Sequence, residues 1–305
     1  MDRRTAIASA FAVAAVGGGS AFGQGASPGV AAGSRSGSSP FADTMAEMTW
    51  QEADAAAKAG ASVLWAFGVI EQHGPHLPLG TDVYIPSAAL KRTKALLAER
   101  GHQALILPAY YWGINQVSGA FPGSVEVQPA TMIALMTDVL GSLKKQGFAR
   151  VFCTSGHGDA LHNKTIYDGV MAGRAASGVD AAVLLNAPLV KRLGLDPANS
   201  AVLGFDVPES GAKFIDVHAG DPETSTMLHV HPDLVRREVL PSLKSTDYGP
   251  ADLAEWRKGQ EAARAKTPLG YFGDPASAEA AKGAARLEAQ AKAMADTILA
   301  RVGVK

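Results

Sequence analysis

The feature that most constrains the fold is a polar segment that directly follows an apolar run. Residues 61–70 are almost entirely apolar and rich in branched and aromatic side chains, which is typical of a buried strand. The next twelve residues, 71–82, read Glu-Gln-His-Gly-Pro-His-Leu-Pro-Leu-Gly-Thr-Asp. Two prolines and two glycines turn this segment, so its side chains can converge on one point. Because ligands bind at the carboxyl ends of the strands in an open α/β sheet, we expect the segment to line a site.

Two further segments place histidine and carboxylate side chains after predicted strands. One contains His157 and Asp159, and the other contains His218 and Glu223. The first segment supplies Glu71, His73, His76 and Asp82. Glutamate, histidine and aspartate are ligands that proteins use for Zn, Mn and Fe. Charged side chains that meet at one edge of a sheet must be paired or bind a cation, because burying them unpaired is costly. The sequence therefore predicts a metal site.

The first segment also points to hydrolysis on two metals. Glu71 and His73 lie two residues apart and point the same way if the strand geometry continues. Asp82 comes from across the turn and could bridge two cations with its two oxygens. Two cations lower the pKa of a bridging water to near neutrality and polarise a carbonyl group. A serine nucleophile, Ser155 beside His157, is a weaker interpretation because no nucleophile elbow is present.

Apolar periodicity predicts an alternation of strands and helices. The predicted strands are 61–70, 104–107, 150–154, 180–185 and 214–217, and the predicted helices are 49–59, 85–100, 130–146, 160–172, 226–228 and 276–301. Such alternation favours one mainly parallel sheet covered on both faces, with no linker inside 45–303. The long stretch 108–129 contains aromatic and amide side chains and is predicted to form a substrate wall. Residues 187–213 show no clear pattern.

The N-terminal residues predict export. Residues 1–24 have a charged start with an Arg3-Arg4 pair, an alanine-rich apolar stretch and small residues before a cleavage region, which is the layout of a signal peptide, here of the twin-arginine type. Residues 25–44 are rich in Gly, Ser and Ala and predict a flexible linker. The mature protein is therefore expected in the periplasm or the medium, and not in a membrane.

The composition of the chain limits the kinds of partner that it is expected to bind. The net charge is −1 with 19% charged residues, which argues against nucleic acid or an anionic membrane surface as the main partner. The single cysteine, Cys153, lies in an apolar strand and is predicted to be a small core residue.

Five segments together resemble the creatininase (creatinine amidohydrolase) family. They are residues 71–82, Phe121-Pro122-Gly123-Ser124, Gly156-His157-Gly158, the run from His218 to Ser225 and the run from Gly270 to Pro275. The resemblance implies a three-layer α/β/α fold and two divalent cations per chain, Zn, Mn or Fe. It also implies a small-molecule amide substrate and assembly as a hexamer.

The resemblance further implies roles for individual residues. Glu71 and His157 would bind one metal, His73 would bind the other, and Asp82 would bridge them. The fifth ligand is either Asp159 or Glu223, and the greater length of the glutamate side chain favours Glu223. His76 and His218 would orient the ligands or donate protons rather than bind metal.

Departures from the family pattern leave the substrate open. Val117 and Ser118 stand where many members have Glu-His, and Ser155 stands where Asn is common. No Trp-Asp pair like that of creatininase itself lies between Asn186 and His218, so creatinine is a doubtful substrate. Another cyclic or linear amide is the expected substrate. The alternatives are lactone hydrolysis on the same metals, or an exported protein that binds a metal or ligand without catalysis.

Overall fold

The computed structural model describes residues 41–207 and 214–304. The predicted signal peptide, 1–24, and residues 25–40 of the predicted linker lie outside the described residues. Within the described part, no helix is long and apolar enough to cross a lipid bilayer.

Five strands form one parallel sheet in the order β2-β1-β3-β4-β5. The strands are β1 (Ser62–Phe67), β2 (Ala104–Tyr110), β3 (Arg150–Ser155), β4 (Asp180–Asn186) and β5 (Val202–Phe205). The α-helices are α1 (Trp50–Lys58), α2 (Thr81–Glu99), α3 (Pro129–Lys145), α4 (Ala160–Ser177), α5 (Ala187–Arg192), α6 (Asp221–Val230), α7 (Pro250–Trp256), α8 (Gln260–Lys266) and α9 (Ala280–Val302). Because all pairs are parallel, the carboxyl ends of β1 and β3 lie side by side at one edge of the sheet.

Alternate side chains of β1 enter two separate cores. Val63, Trp65 and Phe67 pack in one cluster with apolar residues of α3 and α4, whereas Leu64 and Ala66 pack in a second cluster with residues of α2 and α9. Each fully buried Leu or Phe side chain stabilises the fold by roughly 2 kcal/mol, so both helical layers hold the sheet firmly. The fold is therefore a three-layer α/β/α sandwich, as predicted. Cys153 is buried in β3, as expected for a core residue.

The helix predicted at 85–100 begins earlier, at Thr81. Its first turn therefore contains Asp82, which the sequence pattern had placed in a loop. A carboxylate is favoured in this position because the N-terminus of a helix carries partial positive charge. The Thr81 hydroxyl donates to the carbonyl oxygen of Pro78 at 2.7 Å and fixes the entry into the helix. Asp82 is thus held by regular structure rather than by a turn.

The predicted strand at 214–217 is wrong. No strand forms among its residues, and next to it His218 forms only an isolated antiparallel bridge with Phe272. The fifth strand is instead β5, a four-residue segment inside the stretch that showed no pattern. A strand of four residues is too short for its alternation to stand out. The helix predicted at 226–228 is longer and begins at Asp221, which places Glu223 in its first turn.

Two glycines let the first turn of α2 lie directly against the ends of β1 and β3. A Cβ atom on Gly68 would lie 2.3 Å from the carbonyl oxygen of Asp82, and one on Gly156 would lie 2.4 Å from the same oxygen. No side chain fits at either position without moving the helix. The absence of two side chains therefore sets the position of Asp82.

Replacing Gly68 by alanine should destabilise the protein and displace Asp82. Forcing a methyl group into packed backbone costs about 2 kcal/mol, which lowers the melting temperature by about 4–8 °C in a domain of this size. Gly141→Ala is the control, since its Cβ would meet only Ser177 Cβ, at 4.0 Å, an ordinary van der Waals distance. Thermal unfolding followed by circular dichroism compares the three proteins. Equal melting temperatures for wild type and Gly68→Ala would contradict the close approach.

Candidate metal centre

Six side chains from four segments converge at the carboxyl ends of β1 and β3. They are Glu71, His73, Asp82, His157, His218 and Glu223. All except Glu223 are buried, and the side chain of Glu223 is 24% exposed. Their ligand atoms form three overlapping groups, each of which has the spacing to hold a cation.

The first group consists of Glu71, Asp82 and His157. The Nδ1 atom of His157 lies 2.8 Å from Asp82 Oδ2 and 3.1 Å from Glu71 Oε1. Glu71 follows β1, His157 follows β3, and Asp82 is in the first turn of α2. Neighbouring parallel strands therefore bring this group together.

The second group consists of His73, Asp82 and Glu223. The Nε2 atom of His73 lies 3.3 Å from Asp82 Oδ1 and 3.7 Å from Glu223 Oε2. The Nδ1 atom of His73 lies 3.1 Å from the carbonyl oxygen of Glu71, to which it donates, so in the neutral ring it is Nε2 that carries the lone pair. This Nε2 atom is buried and has no hydrogen-bond partner in the described part of the chain. A buried lone pair opposite two carboxylates is the arrangement of a metal ligand.

The third group brings His218 to the other side of Glu71 and His73. The Nε2 atom of His218 lies 2.9 Å from the carbonyl oxygen of Gln72 and 3.0 Å from the side-chain amide nitrogen of the same residue. Its Nδ1 atom faces Glu71 Oε1 at 3.7 Å. His218 thus presents Nδ1 to the same cavity.

The charges in the centre are strongly coupled. Burial alone would lower the pKa of His73, but Asp82, Glu223 and Glu71 raise it to about 10. Burial would also lower the pKa of His157, but Glu71 and Asp82 raise it well above its usual value. Burial raises the pKa of Glu223 to about 7, and burial lowers that of His218 to about 4. Positive charge is therefore favoured among these carboxylates, whether protons or a cation supply it.

Asp159 lies outside the three groups. Its Oδ1 atom accepts from the backbone N–H groups of Leu161 and His162 at 2.7 and 3.0 Å, and its Oδ2 atom accepts from that of Gln116 at 3.1 Å. Asp159 therefore caps the N-terminus of α4, the position at which aspartate is strongly preferred.

His76 lies behind the centre. It is fully buried, and its Nε2 atom lies 2.9 Å from the hydroxyl of Thr224, the residue after Glu223. Burial and the nearby His73 lower the pKa of His76 to about 4. The neutral ring therefore contacts α6 rather than the cavity.

Ser118 departs from the family pattern in sequence yet contacts the centre. Its hydroxyl donates to Glu71 Oε2, and Asn115 Oδ1 lies 2.7 Å from the same hydroxyl. This contact orients the Glu71 carboxylate from the side opposite His157.

A pocket of about 350 Å³ opens onto the centre. Glu71, Asp82, His157, His218 and Glu223 line its floor. Gln116 and Val117 come from the stretch predicted as a substrate wall, whereas Tyr111 and Trp112 do not line this pocket and are exposed.

Three pocket residues were not found from the sequence, namely Arg192, Trp256 and Arg257. They lie at the ends of the short helices α5 and α7, and no motif marks them. The Trp256 ring packs against that of His218, with ring centroids 5.7 Å apart.

The comparison with known protein families identifies the family of this chain. The family model described as Creatininase: Creatinine amidohydrolase matches residues 46–298, which is most of the chain. The chain belongs to the creatininase family. This membership confirms the resemblance found in the sequence, and it places the protein among amidohydrolases, which hydrolyse carbon–nitrogen bonds.

Relatives of this creatininase-family protein differ in their substrates. The chain is 31% identical to the creatinine amidohydrolase of Pseudomonas putida over 83% of this chain and 94% of the relative. It is 30% identical to the mycofactocin precursor peptide peptidase of Mycolicibacterium smegmatis over 72% of this chain and 77% of that protein. The family therefore includes enzymes for a small cyclic compound and for a peptide.

Solved creatininase structures share the fold. A crystal structure of creatinine amidohydrolase superposes with a TM-score of 0.65 at 23% identity, over 85% of this chain and 97% of the other. Solved creatininases include a mutant described as the Zn-Zn type and one described as Creatininase Mn, with TM-scores of 0.62 and 0.61 at 24% identity. Those structures cover 84% and 85% of this chain, and 97% and 98% of their own.

Metal affinity of this creatininase-family protein should rise with pH. In the metal-free protein the pKa of His73 is raised to about 10 and that of His157 is also raised, so both rings bear a second proton and a positive charge at pH 7. A metal binds only the neutral ring and must displace these protons. Zn or Mn titrations at pH 6, 7 and 8 should show tighter binding at each step, with protons released into weak buffer. Affinity that does not change with pH would contradict the protonated state.

Proposed function

We propose that this protein is a metal-dependent amidohydrolase that holds two divalent cations on a shared aspartate. The observation that carries the proposal is the position of Asp82 in two of the three groups. Its Oδ2 atom faces His157 in the first group, at 2.8 Å, and its Oδ1 atom faces His73 in the second, at 3.3 Å. One carboxylate between two sets of ligands is the geometry of a bridge.

The donor set fits Zn, Mn or Fe. Glu71, Asp82 and His157 would hold one cation, and His73, Asp82 and Glu223 would hold the other. Nitrogen and carboxylate oxygen donors suit all three metals. Three carboxylates within one buried cluster also need compensating positive charge. When bound, the cations would supply an activated water and polarise the substrate carbonyl.

Other residues of the chain support the substrate and its protons. The Nδ1 atom of His218 faces Glu71 in the pocket, and the ring can accept or return a proton near the scissile bond. Glu223 is held by the backbone N–H of Ala219, which lies 2.6 Å from Oε2. His76 acts through Thr224 and fixes the first turn of α6 that carries Glu223. His76 is therefore a positioning residue.

Asp159 is a less suitable fifth ligand than Glu223. Its two oxygens already accept three backbone hydrogen bonds, and moving it towards a cation would uncap α4. Loss of an N-cap costs about 1 kcal/mol. The proposal therefore assigns the fifth position to Glu223.

The substrate class is proposed as a small cyclic or linear amide other than creatinine. A pocket of about 350 Å³ suits a small molecule. Lactone hydrolysis on the same metals is the second candidate, because the chemistry that the cations would supply suits an ester carbonyl as well as an amide carbonyl. Matched lactams and lactones of equal ring size separate the two reactions.

The experiment that tests the proposal measures metal content and turnover on the same purified protein. We expect about two equivalents of Zn or Mn per chain after loading, and hydrolysis of at least one amide that chelation abolishes. Less than one metal per chain after loading would contradict the proposal. Two bound metals with no turnover of amides or lactones would favour a non-catalytic binding protein instead.

Export and assembly are proposed on sequence grounds. Residues 1–24 support twin-arginine export into the periplasm, which replacement of Arg3 and Arg4 by lysine should block. Precursor and mature protein in cell fractions report the outcome, and unchanged export would contradict it. Membership of the creatininase family supports a hexamer, and elution of a monomer in size-exclusion chromatography with light scattering would contradict that.

A further inference from the structure

Two arginines face the metal centre across the pocket. Arg192 is the last residue of α5, Arg257 directly follows α7, and both line the same pocket as Glu71 and His157. Both residues are exposed to solvent, unlike the buried histidines and carboxylates of the centre. A substrate bound in this pocket can therefore contact two guanidinium groups.

Arg192 is held by its own side chain, and the backbone at Arg257 is held through its neighbour. The Arg192 guanidinium donates to the carbonyl oxygen of Gly158, which is the residue next to His157. Arg257 follows Trp256, whose indole N–H donates to the Thr267 hydroxyl at 3.1 Å while its ring packs against His218. The contacts that hold Arg192 and Trp256 are therefore made beside His157 and His218 of the metal centre.

Neither arginine forms an ion pair with a carboxylate within the described part of the chain. The nearest acidic group on that wall, Asp159, already accepts three backbone hydrogen bonds. Burial lowers the pKa of the Arg192 guanidinium, the charge of Arg257 lowers it further, and the Asp159 carboxylate offsets part of this effect. Two guanidinium groups near one another, with a carboxylate that is already committed to backbone hydrogen bonds, favour a further anion between them.

We propose that the substrate carries a carboxylate that binds Arg192 and Arg257 while its scissile amide lies over the metal centre. This inference rests on the proposed function and adds the chemical class of its substrate. A planar carboxylate matches the paired N–H donors of a guanidinium. The class is therefore an N-acyl amino acid, or a lactam with a carboxylate substituent, small enough for the pocket.

The test compares matched pairs of ligands that differ only in charge. The acids are N-acetylglycine, N-acetyl-β-alanine and N-acetyl-γ-aminobutyrate, and each is paired with its primary amide. The three spacers sample different distances between the amide and the carboxylate. Isothermal titration of metal-loaded wild type should show at least one acid binding about ten-fold or more tightly than its amide, since charged hydrogen bonds add this much.

The same titrations on variants assign the preference to the arginines. Arg192→Gln and Arg257→Gln should each reduce the preference for the acid by about ten-fold, measured within each variant as the ratio of the dissociation constants of the amide and its paired acid. Arg237→Gln is the matched control, because Arg237 is exposed and does not line the pocket. It should retain the wild-type preference.

Two results would overturn the inference. One is the absence of any preference for an acid in wild type, which includes failure of all six ligands to bind. The other is a preference that persists in both arginine variants, because the carboxylate would then bind the metals. Metal content and amide hydrolysis are measured on the same samples. These two measurements test the proposed function, so its failure is distinguished from failure of the carboxylate inference.

Discussion

Asp82→Asn should remove most of the bound metal, because both proposed cation sites lose a shared ligand. Asparagine preserves the shape of the side chain but removes the negative charge and one ligand oxygen. Metal content should fall from about two equivalents per chain to below about one. Turnover should fall by at least about 100-fold, the upper end of the effect of changing a residue that only supports a ligand.

Asp168→Asn is the matched control for this loss. Asp168 lies on the outer part of α4, is 40% exposed and pairs with Lys164. Its loss should cost less than about 1 kcal/mol and leave the metal content unchanged. Plasma emission spectrometry after dialysis measures the metal, and circular dichroism verifies folding. If folded Asp82→Asn retained both metals, Asp82 would not be the bridge.

Glu223→Gln and Asp159→Asn should differ in their effect on the metal content. Glu223 lies 3.7 Å from His73 Nε2, so its replacement should remove the second metal and leave about one equivalent per chain. Asparagine is as good an N-cap as aspartate, so Asp159→Asn should keep both the cap of α4 and two metals. Each variant changes a carboxylate to its amide, so each serves as the control for the loss of charge in the other.

Metal analysis and turnover measure this pair together. Glu223→Gln should lose at least about 100-fold in turnover, whereas Asp159→Asn should stay within about ten-fold of wild type. The reverse pattern, with metal lost from Asp159→Asn and kept by Glu223→Gln, would place the fifth ligand at Asp159.

Regular features of the sequence predicted most of the sheet and most of the centre. Strand–helix alternation identified β1 to β4 because each strand is a run of apolar residues between turn signals. The polar segments after β1 and β3 identified Glu71, His73 and His157, since parallel strands end at the same edge. Asp82 was also expected in the centre, and the structure brings it into the same cluster, although its helix begins four residues before the prediction.

The remaining parts depend on contacts between distant segments. His218 was predicted to follow a strand, but its backbone forms an isolated bridge with Phe272 instead. Arg192 and Arg257 reach the pocket from helices of six and seven residues, which are too short for periodicity to reveal. Asp159 did carry a usable signal, since an aspartate directly before a helical pattern predicts an N-cap.

Anomalous diffraction from crystals loaded with Zn, collected at the Zn absorption edge, tests the shared aspartate most directly. A shared aspartate predicts two peaks per chain about 3.5–4 Å apart, the spacing of two-metal sites. Each should lie about 2.0–2.2 Å from a different oxygen of Asp82, with Glu223 rather than Asp159 beside the peak at His73. A single peak per chain, or two peaks of which only one contacts Asp82, would contradict it.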